Sequence, residues 1–214
     1  MKTHLVIGLG RFGQHVTQKL CALGSEVFAV DKDEECVNKV LPFAVKAQIG
    51  DATNEQFIES LAPASFDTCF VAIGDDFQSS LEMTSLLKDY GARHVVARAS
   101  RAVHEKFLLR CGADEVIYPE KETAIRTAVK YNSDSVFDYI ELTPEFSIYE
   151  IEPPESWLGK TILDLNVRTN YHMYILATKK DGVMSPLPQP DYVFRADETL
   201  VVMGSDSSVQ KLLR

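Results

Sequence analysis

His4-Leu5-Val6-Ile7-Gly8-Leu9-Gly10-Arg11-Phe12-Gly13-Gln14 is the stretch that decides the fold. An apolar run enters three glycines at G-x-G-x-x-G spacing, and a helical pattern follows with Phe12, Val16 and Leu20 on one face. Each glycine has a physical reason. Gly8 permits the tight turn out of a strand, Gly10 lets a pyrophosphate approach bare backbone, and Gly13 lets the helix pack close to the sheet. The free N–H groups at the helix start and the positive end of its dipole then face the phosphates. A second apolar run, Val27-Phe28-Ala29-Val30, closes on Asp31, the acid that holds a ribose in such a site. The alternative is a tight βα turn that binds nothing. Arg11, inside the loop, adds a cation that favours a polyphosphate over NAD, or else is a solvated residue of the first helical turn. Asp31 opposes a 2′-phosphate by like charge.

Working outward, strand and helix patterns alternate through Tyr131. Strands are expected at 27–31, 44–49, 69–73, 94–98 and 115–118, with helices at 33–40, 54–61, 77–90, 102–111 and 120–131. Repeated βα units mean a parallel, doubly wound, Rossmann-like sheet, whose ligands bind at the carboxyl ends of the strands. Asp31, Gly50, Asp51, Gly74 and Asp75 fall at those ends. From Asn132 to Thr143 the rhythm breaks. Beyond it, strands are expected at 146–151, 172–179 and 199–203, a hairpin at Asp181-Gly182, one helical turn at 161–165 and a terminal helix at 205–213. The chain therefore divides into a nucleotide-binding domain, 1–134, and a small α+β domain, 135–214.

Composition narrows the function. A formal charge of −9 argues against nucleic acid and anionic membranes as partners. No apolar stretch approaches the roughly 20 residues that span a bilayer, and Met1 leads directly into the first strand, so a cytosolic protein is expected. The four cysteines, Cys21, Cys36, Cys69 and Cys111, lack metal or redox spacing and are expected as small buried hydrophobes. No G-x-S-x-G, Walker A or metal-ligand cluster is present, and none of the five histidines is placed as a general acid. The expectation is a protein that is not an enzyme. The alternative is an NAD(H)-dependent oxidoreductase or an NAD(H)-sensing regulator.

The glycine loop, Asp31, G-D-A-T at 50–53, V-A-I-G at 71–74, G-A-D-E-V-I-Y-P-E at 112–120 and I-L-D-L-N-V-R at 162–168 together resemble the RCK (TrkA-N plus TrkA-C) regulatory subunits of bacterial potassium transporters. The resemblance covers essentially the whole chain, and its single unit is more similar to the Ktr type than to tandem TrkA. It implies an octameric ring beneath a membrane-embedded potassium transporter, at the inner face of the membrane, in which exchange of ATP for ADP changes the ring and gates potassium flow. It also implies roles. Gly8, Gly10 and Gly13 form the phosphate loop, Arg11 reaches polyphosphate near a subunit interface, and Asp31 holds the ribose. Asp51 lies at the adenosine end, where its charge keeps NAD(H) among the ligands, and Arg98 ends the fifth strand. Phe12, Lys32, Ala52, Thr53, Ile73 and Gly74 complete the implied site. Glu120 matches an acid that holds a divalent cation near the phosphates; its plainer role is an acid at a helix N-terminus. In the second domain, Ile162, Leu163, Asp164, Asn166 and Arg168, with Pro188, match a cyclic di-AMP site. His172 departs from the small residue expected nearby.

Overall fold

The computed structural model describes residues 1–213, which form two compact units. The first contains β1 (Thr3–Ile7), α1 (Arg11–Ala22), β2 (Glu26–Asp31), α2 (Glu34–Val40), β3 (Lys46–Ile49), α3 (Glu55–Leu61), β4 (Thr68–Val71), α4 (Phe77–Asp89), β5 (Val95–Arg98), α5 (Ala102–Arg110) and β6 (Glu115–Ile117). All its strand pairs are parallel, in the order β3-β2-β1-β4-β5-β6. The strand order reverses direction between β1 and β4, which opens a crevice beside the glycine loop.

The apolar runs read as they do because the sheet is covered on both faces. Successive side chains of β1 point to opposite faces. Leu5 and Ile7 enter one core with Ile58, Met83 and Leu87, whereas Val6 enters another with Val27, Ala29 and Val37. Three helices start on side-chain caps: Asp33 accepts from Glu35 N–H, Asn54 from Phe57 N–H and Asp76 from Ser79 N–H. The element ends otherwise lie within one or two residues of the expected ones. Cys69 is buried in β4, and burial pushes its thiol up to about 12. Cys21, Cys36 and Cys111 are half-buried rather than buried.

The second unit contains α6 (Pro119–Tyr131) beyond its first two residues, β7 (Val136–Glu141), β8 (Phe146–Ile151), α7 (Ile162–Leu165), α8 (Val167–Tyr171), β9 (Met173–Lys180), β10 (Val183–Pro186), β11 (Thr199–Ser205) and α9 (Asp206–Leu212). Its sheet is antiparallel, in the order β10-β9-β11-β8-β7. Tyr149, Ile151, Leu200 and Val202 alternate into a core with Trp157, Phe194 and Val209.

Three expectations need correction here. The units divide between Glu120 and Lys121, not at 134/135. Most of α6 belongs with the second unit, because Val129 packs on its core and Arg126 makes a two-pronged ion pair with Asp138 at 2.9 and 2.7 Å. The segment read as a break in rhythm contains β7. A register shift between Val136 and Asp138 puts the buried Val136 and Tyr139 three residues apart, which hides the period of two. Helix α8 was not expected either; it follows Asn166 in left-handed backbone and buries only Val167.

Candidate functional site

The first unit holds a cavity of about 760 Å³ at the carboxyl ends of the parallel strands. Gly8, Gly10, Arg11 and Phe12 bound it after β1, Asp31 and Lys32 after β2, and Asp51, Ala52 and Thr53 after β3. Ile73 and Gly74 follow β4, Arg98 ends β5, and Glu120 opens α6. Every expected nucleotide residue except Gly13 therefore lines one space. Gly13 acts from behind. A Cβ there would lie 1.9 Å from the carbonyl oxygen of Gly8, so α1 approaches the turn closely only because Gly13 has no side chain. Gly8 itself has φ +92°, a backbone conformation that favours glycine.

The start of α1 is bare. Gly10 is its N-cap residue, no side chain caps it, and its first turn carries no acid. A Cβ on Gly10 would have nothing within 4 Å. The first N–H groups of a helix have no intrahelical acceptor, and the helix dipole adds positive potential there. Such a helix start is able to accept an anion.

The carboxylates fall into two kinds. Asp31 Oδ2 accepts from Leu9 N–H at 2.5 Å and its Oδ1 from Asp33 N–H at 2.9 Å, so this acid already ties the glycine loop to the end of β2. Asp51 Oδ1 accepts from Thr53 N–H and Oγ1–H at 3.0 and 2.7 Å. The Thr53 backbone hydrogen bond, then the hydroxyl, holds the Asp51 carboxyl below its ordinary range. Each keeps lone pairs for a ribose or base donor. Arg98 donates to Glu120, and its guanidinium carbon lies 5.9 Å from the centre of the Phe12 ring. Burial pushes Glu120 up, but its backbone hydrogen bond, Arg98 and the charge of Arg11 outweigh this and hold the carboxyl low.

Asp76, Ser79 and Met83 also line the cavity and were not expected as site residues. Their signal was present: Asp76 is a helix cap, and Ser79 and Met83 stand four residues apart, on one face of α4. For the cation site, Glu120 is engaged with Arg98, and among the described residues no group of three or more His, Cys, Asp or Glu is placed to hold a metal.

The six residues expected around a second ligand lie on α7, α8 and a neighbouring loop. Leu163 N–H donates to Pro190 O at 2.8 Å, which brings the loop containing Pro188 beside Ile162 and Leu163. Asp164 and Thr161 form a reciprocal cap, each accepting the other's backbone N–H at 3.0 Å. Asn166 takes left-handed backbone at φ +44°, and Arg168 lies over its own Tyr174 ring at 5.4 Å. A cavity of about 530 Å³ in this unit is lined by other residues, among them Val129, Tyr149, Asp206 and Val209.

The comparisons agree with this geometry. The TrkA-N domain family matches residues 4–119 and the TrkA-C domain family residues 146–214. The Ktr system potassium uptake protein C of Bacillus subtilis (strain 168) is 38% identical over 98% of this chain and 95% of its own length. The Ktr system potassium uptake protein A of the same organism is 38% identical with the same coverage. The solved GsuK channel bound to NAD shares the fold at a TM-score of 0.72, with 17% identity, over 100% of this chain and 39% of that one. With a parallel nucleotide-type unit and an antiparallel unit in the matching order, this chain belongs to the TrkA-N/TrkA-C (RCK) family, together with the Ktr potassium uptake proteins.

Proposed function

We propose that the chain is the nucleotide-sensing regulatory subunit of a potassium uptake transporter, with adenine nucleotide held in the cavity of the first unit. The observation that carries this is the bare start of α1 opening on that cavity beside Gly10 and Arg11. The relatives supply the transport role, since both Ktr proteins named above are potassium uptake components. No helix among the described residues is long and apolar enough to cross a membrane. In this reading the ion path belongs to a membrane-embedded partner. The chain acts from the inner face of the membrane as a ring of copies, an octamer, and without catalysis.

A gate responds to two ligands only through their different affinities for its two shapes. ATP and ADP share adenine, ribose and two phosphates, so the γ-phosphate must discriminate. Arg11, exposed at the cavity, is the residue to reach it. Glu120 offers one carboxylate to a divalent cation, and such an ion takes six or more oxygens, so the rest of its ligands must come from phosphate and water. Cyclic di-AMP on residues 162–168 is the second ligand of this reading. For it, Arg168 must leave the Tyr174 ring.

Paired calorimetric titrations with ATP, ADP and NADH test the reading, with light scattering of each complex and potassium uptake by cells carrying the transporter. Tight ATP and ADP binding with different scattering profiles is the expected result. Binding of NADH alone favours the NAD(H)-sensing alternative, for which the Asp51 carboxylate is the specific observation. A stable monomer under every condition removes the ring.

A further inference from the structure

Arg98 is held in an unusual way. Its guanidinium lies over Gly74, where a Cβ would come within 2.8 Å of Nη1. The Phe12 ring is 5.9 Å from its central carbon. Its side chain is only 17% exposed, and Nε is buried without a hydrogen-bond partner among the described residues. Among the described residues its one charged partner is Glu120, through Nη2, and that carboxylate is 57% exposed. A buried N–H without an acceptor costs free energy. The protein thus gives this fork one anionic oxygen from the cavity wall and leaves its inner donor unmet.

We propose that Glu120 stands in for the ligand's anionic group: its carboxylate occupies Arg98 in the ligand-free protein, and a phosphate oxygen of the nucleotide displaces it to reach the guanidinium. The proposal rests on the nucleotide reading above. Carboxylate and phosphate present the same kind of acceptor to an arginine fork, so one replaces the other without loss of geometry. Glu120 is exposed and can swing into water when released. The exchange lowers ligand affinity by the fraction of molecules in which Arg98 is still paired. Glu120 is then a specificity device. A nucleoside without phosphate has nothing to exchange, so its affinity is indifferent to the pair.

Plain repulsion between Glu120 and the ligand phosphates also opposes binding, so the test must separate the two. ADP and adenosine are titrated calorimetrically, with divalent cations removed, into the wild type, Glu120→Gln, Arg98→Ala and the double variant. Glu120→Gln is expected to bind ADP about two- to fivefold more tightly, the range set by a half-exposed ion pair, and adenosine as the wild type does. In the Arg98→Ala background the same change is expected to leave ADP affinity alone. Unchanged or weakened ADP binding in Glu120→Gln overturns the proposal. So does equal tightening in the Arg98→Ala background, which assigns the effect to repulsion. A wild type that does not bind ADP is the failure of the nucleotide reading itself, and it is seen before any variant is compared. The Arg98 Nε–H resonance of the wild type gives a readout that needs no stable variant. It is expected to move when ADP is added, and a fixed resonance overturns the exchange.

Discussion

Asp31 Oδ2 accepts the backbone N–H of Leu9 at 2.5 Å. The acid that the fingerprint assigns to a ribose therefore also fastens the glycine loop, joining two strands' ends through one side chain. Leu9 is fully buried, so its N–H loses its partner when the carboxylate is removed. We expect Asp31→Ala to lower the unfolding free energy by about 1–3 kcal/mol, the cost of an orphaned buried donor, measured by denaturant titration. The same variant should bind adenine nucleotide more weakly by about 1.5–3 kcal/mol, as for a charge-assisted hydrogen bond. Unchanged calorimetric affinity would sink the ribose assignment while leaving the loop role intact.

The glycines of the loop should separate by function. Gly13→Ala puts a Cβ 1.9 Å from the Gly8 carbonyl oxygen, against backbone that cannot step aside. Overpacking of this kind costs about 3 kcal/mol, and the melting temperature should fall accordingly. Gly10→Ala meets nothing within 4 Å and keeps negative φ, so stability should stay within about 0.5 kcal/mol of wild type. Its nucleotide affinity should nonetheless drop, because the added methyl stands where the proposed site takes the phosphate. Full nucleotide affinity in Gly10→Ala would show that the bare helix start is not the phosphate site.

Arg11→Ala should leave ADP affinity nearly intact and weaken ATP. Its ring should then lose the ATP-dependent change in scattering, and potassium uptake should cease to respond to ATP. Equal weakening of both nucleotides would assign Arg11 to the shared phosphates. No weakening at all would make it a solvated residue of the first turn of α1.

His104 gives a pH dependence. It is fully buried, with Nε2 2.6 Å from Ser80 Oγ, while Ser100 N–H donates to Nδ1 at 3.3 Å. Ser80 Oγ in turn donates to Phe77 O at 2.9 Å, so the hydrogen of the neutral ring belongs on Nε2. Burial, then the charge of Arg101, lowers its pKa from 6.5. The unfolded chain therefore binds the proton more readily, and stability is full above 6.5 and falls as pH drops through that value. His4 shifts in the same direction, again through burial. We expect the NMR titration of His104, assigned with His104→Asn, to have its midpoint below 6.5, with the denaturation midpoint falling as the pH drops below that value. A midpoint at or above 6.5 in the folded protein contradicts the buried neutral ring.

The sequence alone was enough for the parallel unit, and the reason is physical. A strand covered on both faces must be apolar at every position, as Leu5, Val6 and Ile7 are, and the turns that follow must be glycine where backbone passes backbone, as Gly8 and Gly13 do. Such demands act on neighbours in the chain and leave a local record. Much of the cavity lining was legible for the same reason, since Asp31, Asp51, Gly74 and Arg98 follow or end their strands, whereas Ser79 and Met83, inside α4, were not. What local pattern does not carry is pairing. The bulge after Val136 concealed β7, because a shifted register is a property of two strands and not of one. Partners distant in sequence, Asp31 with Leu9, Ser80 with His104 and Arg98 with Glu120, meet only once the sheet is assembled. Sequence marked these residues as a loop acid, helix residues and strand-end charges; tertiary structure decided which hydrogen bonds they already make and which remain for a ligand.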